Sequence, residues 1–226
     1  MQVDVRHGPS FALARCTLTA GEHVKVESGA MAAMSDGVTL DAKMEGGFLK
    51  SLGRSALGGN SFFVTSYTSS IEGGWVDVAA VLPGDITVLE STPERPLAVT
   101  RGAWLANEQS LAMDTKWGGA NNLFGGEGGF VSMFTGAGKV VVASYGALDM
   151  HALQPGERMV VDSGHIVAYD AYIAMKAQTT GGVMKSLKSG EGIVLEITGP
   201  GLVWTQSRNP NGLITWLTAV LPFSRS

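Results

Sequence analysis

Leu153-Gln-Pro-Gly-Glu-Arg-Met-Val-Val-Asp-Ser-Gly-His-Ile-Val-Ala168 is the stretch on which the reading of this chain turns. An earlier copy, Leu18-Thr-Ala-Gly-Glu-His-Val-Lys-Val-Glu-Ser-Gly-Ala-Met-Ala-Ala33, stands 135 positions before it. At that one offset Gly21 falls on Gly156, Glu22 on Glu157, Val26 on Val161, Ser28 on Ser163 and Gly29 on Gly164. Each copy reads as a Gly-acid turn, an apolar strand, a Ser-Gly turn and a second strand of small residues. The offset continues: Gly46-Gly-Phe-Leu-Lys-Ser-Leu52 lies over Gly181-Gly-Val-Met-Lys-Ser-Leu187 without a gap, five of seven positions identical. A fixed spacing of this kind is the mark of a repeated structural unit.

A weaker third copy is expected between the two. Pro83-Gly84-Asp85-Ile86 is matched to the Gly-Glu turns, and Arg101-Gly102-Ala-Trp-Leu-Ala106 to Ser28–Ala33. The far ends agree as Gly73-Gly-Trp-Val-Asp-Val78, Ala137-Gly-Lys-Val-Val-Val142 and Pro200-Gly-Leu-Val-Trp-Thr205. The expectation is three tandem units of about 65 residues, 10–82, 83–152 and 153–226, sharing one body over 1–226. Val, Ile, Thr and aromatics fill the runs, turn residues recur between them, and helical spacing is almost absent, so the fold class is all-β, built of sandwich or barrel units. Each unit should end in a hairpin, in the first Ser61–Thr68 and Gly74–Ala79 joined through Ile71-Glu-Gly-Gly74. Lys139-Val-Val-Val-Ala143 is apolar on both faces, as for a strand between layers, and Asn107–Met113 could form a short helical turn.

The 226 residues are 45% hydrophobic and only 16% charged, against roughly 25% charged in an average domain. So sparse a charge points to surface hidden in a homo-oligomer. The net charge of −4 comes with scattered Lys and Arg, which disfavours nucleic acid as a partner, because a phosphate-tracking surface clusters its positive charge. A single cysteine, Cys16, excludes an internal disulfide and a thiolate-rich zinc site, and reads as a small strand residue. Met1-Gln-Val-Asp-Val-Arg6 does not read as a signal peptide, and no run of about 18 apolar residues suggests a membrane span, so the cytoplasm is expected.

Chemistry is sparsely signalled. The histidines, His7, His23, His151 and His165, have none of the short spacings that put two imidazoles on one metal. Asp162-Ser163-Gly164-His165 contains the residue types of a hydrolytic triad, but neighbours around a turn cannot relay a proton as a triad does. Because the earlier copy has Ala30 where His165 stands, the acids belong to the repeated turn and His165 is the residue singled out for a functional role. The Gly-rich loops Leu57–Ser61, Phe124–Phe130 and Lys188–Ile193 match no phosphate-cradling pattern. The two Gly-Gly segments offer candidate interaction loops: Phe48, Leu49, Lys50 and Arg54 in one, Val183, Met184, Lys185 and Lys188 in the other, combining apolar and basic residues suited to a protein or membrane surface.

Leu153–Ala168, Ser189-Gly-Glu-Gly192 and Gly199-Pro-Gly-Leu-Val-Trp-Thr-Gln-Ser-Arg208, together with Gly58-Gly-Asn-Ser-Phe-Phe63, Pro83-Gly-Asp85 and Ser144-Tyr-Gly-Ala147, resemble the AIM24 family over nearly the whole chain. The resemblance implies a fold like that of the tryptophan RNA-binding attenuation protein (TRAP), repeated within one chain. It does not carry over that protein's RNA site, since a shared fold does not bring the site with it. The resulting expectation is a non-catalytic oligomeric scaffold or interaction protein that uses no metal or cofactor. The alternatives are a module binding a ligand, a membrane surface or RNA through the Gly-rich loops and loop lysines, and a metal-dependent barrel enzyme.

Overall fold

The computed structural model describes residues 1–41, 64–117, 130–177 and 194–221. After an N-terminal strand β1 (Gln2–Arg6), a first set of six strands runs β2 (Leu13–Leu18), β3 (His23–Glu27), β4 (Met31–Met34), β5 (Val38–Asp41), β6 (Val64–Ser69) and β7 (Gly74–Val78). A second runs β8 (Ile86–Ser91), β9 (Leu97–Thr100), β10 (Trp104–Glu108), β11 (Ala112–Trp117), β12 (Phe130–Thr135) and β13 (Gly138–Ala143). A third runs β14 (Leu148–Leu153), β15 (Arg158–Asp162), β16 (Ile166–Asp170), β17 (Ala174–Ala177), β18 (Val194–Thr198) and β19 (Gly201–Gln206), followed by the helix α1 (Pro210–Val220).

Side-chain alternation explains the outer strands. In β2, Ala14, Cys16 and Leu18 are buried while Leu13, Arg15 and Thr17 are half-buried; β3 buries Val24 and Val26 alone. Period-two burial is what a strand with one covered face requires. The central strands differ. In β13, Val141 and Ala143 enter one core and Val140 and Val142 the next, so this strand is covered on both faces. That is the arrangement expected from its uninterrupted apolar run.

The pairing pattern is the same in each set. The first strand pairs with the sixth, the third with the sixth, the second with the fifth and the fourth with the fifth, all antiparallel. Each third strand also carries a register shift at the same place: Met31/Ala33, Trp104/Ala106 and Ile166/Ala168. Every set therefore contributes three strands to each of two sheets, and the sets join where the third strand of one pairs with the second strand of the set before it. Among the described residues four sheets result: β1-β2-β7-β4, β5-β6-β3-β10-β13-β8, β11-β12-β9-β16-β19-β14 and β15-β18-β17. Three apolar cores lie between successive sheets, centred on Val24, Val76 and Leu105, on Trp104, Phe134 and Val167, and on Leu195, Ile197 and Val203.

Several sequence expectations change. β6 and β7 are not a hairpin: β6 pairs with β3 and β5, while β7 pairs with β2 and β4, so Ile71–Gly74 is a corner between two sheets. The corner explains its glycine, since a Cβ on Gly74 would stand 2.1 Å from the Ser69 hydroxyl. Pro83–Ile86 is not the counterpart of the Gly-Glu turns, because it precedes the first strand of its set, whereas Gly21-Glu22 and Gly156-Glu157 follow theirs. The strand sets accordingly begin at 13, 86 and 148, so the boundary drawn at 153 cuts β14 from its set. Asn107–Met113 is the end of β10, a turn and the start of β11, with no helical turn. The helix α1 was not expected; Asn209 caps it by accepting from the Asn211 N–H and Pro210 opens its first turn.

Candidate functional site

The strand order leaves two edges that the rest of the molecule pairs. β10, the third strand of its set, lies against β3 with Ala106 opposite Val26 and Asn107 opposite Lys25. β16 lies against β9 with Ala168 opposite Val99 and Tyr169 opposite Ala98. Among the described residues the equivalent strand of the first set, β4, has β7 as its one neighbour, and the equivalent second strand of the third set, β15, has β18.

Burial follows the pairing. Trp104 through Asn107 and all of β16 are buried, and so are Leu97, Ala98 and Val99 in β9. In β4, Ala32, Ala33 and Met34 are exposed, and in β15 Val160 is 56% exposed. An unpaired edge with apolar outward side chains is a template for another strand. Carrying the internal register over places Ala33 opposite Val161 and Met34 opposite Val160 in a β4–β15 pair.

His165, singled out from the sequence, closes a single 3-10 turn, Ser163–His165, between β15 and β16. Its Nδ1 lies 2.7 Å from the Gln206 carbonyl oxygen, to which the ring N–H donates. The Gln206 side chain donates to the Gly164 carbonyl and accepts from the Tyr145 N–H, while the Asp162 carboxylate accepts from the Gly164 N–H and from Asn209. A Cβ on Gly164 would come within 2.3 Å of Asn209 Nδ2. These residues fasten the turn to the end of β19 and the cap of α1. Asp162 and His165 each turn to a different partner, so the triad residue types do not form a relay. His7, His23 and His151 lie elsewhere, with His23 against Thr68 and His151 against Thr205. Among the described residues no three His, Cys, Asp or Glu side chains are placed to hold a metal ion, and no helix is long and apolar enough to cross a membrane.

The duplicated acids serve the backbone. Glu22 accepts from the Thr19 N–H at 2.9 Å, and Glu157 from the Gln154 N–H at 2.8 Å, the same contact 135 residues apart. Glu22 and Glu108 also bracket the Met1 ammonium. Burial works against that charge, but these two carboxylates hold the ammonium above its ordinary pKa. Buried Asp77 takes a forked contact from Arg15 at 2.8 Å and a further bond from Arg6 at 2.9 Å, with the Arg15 guanidinium 3.7 Å from the centre of the Trp75 ring. The Arg15 hydrogen bonds hold the Asp77 carboxyl below the usual range, against burial and helped by Arg6. Cys16 is buried in β2, and burial is the chief cause of its thiol being pushed up to about 12.

Phe48, Leu49, Lys50, Arg54, Val183, Met184, Lys185 and Lys188, with the Gly-rich loops Leu57–Ser61 and Lys188–Ile193 and most of Phe124–Phe130, lie outside the described residues. The edges of β4 and β15 were missed by the sequence reading. No local signal marks them: Met31–Met34 and Arg158–Asp162 read as ordinary strand segments, and their open edges follow only from the strand order.

Comparison with known proteins adds family and fold. The family described as Mitochondrial biogenesis AIM24 matches residues 3–208. An uncharacterized protein of Streptococcus pyogenes serotype M6, M6_Spy0233, is 29% identical over 232 residues, covering 99% of this chain and 92% of that protein. The crystal structure of protein SPYM3_0169 from Streptococcus pyogenes superposes with a TM-score of 0.80 at 28% identity, covering 97% of this chain and 99% of that one.

Proposed function

The chain belongs to the AIM24 family, and we propose that it acts as a non-catalytic scaffold whose copies join head to tail, β4 of one on β15 of the next. The observation that carries this reading is the pair of edges left unpaired among the described residues. They are the same third and second strands that join the sets internally, so one copy offers the edge that the next copy lacks. The thrice-repeated pairing supports three tandem repeats of one TRAP-like unit, and a second copy continues that series by the same junction. Because β4 and β15 are different surfaces, the contact is heterologous, and such contacts build rings when the rotation closes. Burying Met34 and Val160 at the junction adds roughly 1.5–3 kcal/mol per side chain beyond the backbone hydrogen bonds.

The test is a charge exchange across the junction, read by size-exclusion chromatography with light scattering. Met34→Lys and Val160→Glu each place one uncompensated charge in the seam and should lower the mass toward one chain. The double variant, with Lys opposite Glu in every junction, should regain the oligomer. A wild-type protein that stays a single chain at all concentrations, or single variants that assemble like wild type, would remove this reading.

A further inference from the structure

The seam has a second part, visible in how the chain passes from one strand set to the next. The Ala12 N–H donates to the Gly84 carbonyl at 3.0 Å, and the Asp85 N–H donates in the same way to Gly146 at 3.0 Å, with Gly84 and Gly146 forming a parallel bridge. One step further the Gly146 N–H donates to Pro83, and the Arg208 N–H donates to Tyr145, both residues 62 positions on. The lead-ins to the three sets are thus laid side by side, and Ser207-Arg208 occupies the place where a fourth set would start. There the chain turns instead into α1.

An 11-residue helix is marginal in water unless packing supports it. None of its residues is buried, no charged side chain occurs from Asn209 through Leu221, and Trp216 is 60% exposed. Ile214, Thr215, Thr218 and Ala219 border an open depression along it. At the other end of the series Phe11, beside the lead-in to β2, is 75% exposed.

We propose that α1 is a strap between copies, laid over the lead-in to β2 of the next copy, with Phe11 of that copy covered by the apolar face of the helix. This rests on the head-to-tail reading above. The occupant is a second copy because the ladder Ala12–Gly84–Gly146–Arg208 fixes where the next lead-in belongs, beside the root of α1.

Full-length wild type, Trp216→Gln, Phe11→Ser and the double variant are compared by sedimentation and light scattering across a dilution series, with circular dichroism to establish that each is folded. Each single variant should raise the dissociation concentration about tenfold or more, and the double should be little weaker than the worse single, since both remove one contact. If wild type assembles and the single variants dissociate at its concentration, or their effects multiply, the strap is wrong while the edge pairing stands. A wild type that never assembles removes both readings. Binding of anionic phospholipid vesicles that depends on Trp216, with self-association unchanged in Trp216→Gln, would make α1 a membrane contact and overturn the strap.

Discussion

The internal junctions and the two outer edges are built from corresponding strands with opposite surfaces. At the junctions, β10 is buried from Trp104 to Asn107 and β16 from end to end, and they carry Trp104, Leu105, Ile166 and Val167. Their counterpart at the outer edge, β4, reads Met-Ala-Ala-Met and is largely exposed. The same contrast separates β9, with Leu97, Ala98 and Val99 buried, from β15, where Val160 is open. Large apolar side chains at the internal junctions are buried where the sets meet within one chain. Small and flexible ones at the edges leave a surface that water tolerates until a partner strand arrives, which is how natural edge strands are kept from indiscriminate pairing.

The largest expected effect empties the core beneath a junction strand. Trp104, fully buried beside Phe134 with ring centres 6.3 Å apart, should cost about 3–5 kcal/mol of folding stability as Trp104→Ala. Met31, its counterpart on β4, should cost about 1 kcal/mol as Met31→Ala. Urea unfolding of both variants in the single-chain background of Met34→Lys measures the difference, and equal losses would erase the distinction between junction and edge.

Next comes the charge beneath β4. Asp77 stands opposite Ala33, where the corresponding positions of the other sets hold Val141 and Trp204. Asp77→Asn should cost about 2 kcal/mol, less than for a wholly buried pair because Arg6 and Arg15 remain about a third exposed. The folded-state pKa of Asp77 is lowered, so its contribution is fully present above the ordinary carboxylate value of about 3.9 and is lost as pH falls through the lowered one. Denaturation at several pH values should show the gap between wild type and variant constant above about pH 5 and closing in acid.

Smaller effects sharpen the edge. The Met34→Lys and Val160→Glu exchange should move the dissociation concentration about tenfold for each single change, since about 1.4 kcal/mol corresponds to a factor of ten. Smallest is the fastening of α1 to the third set. Asn209→Ala removes the helix cap and should cost about 1 kcal/mol, and His165→Ala, losing the bond to the Gln206 carbonyl, a similar amount or less. Amide hydrogen exchange in Leu213–Val220 should rise in both. A rise confined to Asn209→Ala would mean that the turn at His165 does not hold the helix.

The sequence by itself determined the strands, their apolar faces and the paired acid turns at Glu22 and Glu157. Those are local properties: Glu22 and Glu157 each accept from the N–H three residues before them, and β-branched runs extend whatever their neighbours. It also marked Gly74, Gly138 and Gly201 as equivalent, and each opens the last strand of a set. Which strand pairs with which was decided only by the tertiary structure. Gly74 follows a turn that looks like a hairpin, but the chain crosses to another sheet there because β6 and β7 bury their faces against different partners. His165 shows the same limit from the side of function: its neighbours in sequence suggested chemistry, while its partner is a carbonyl 41 residues away. The unpaired edges of β4 and β15 exist only relative to a strand order, and no run of residues announces a neighbour that is missing.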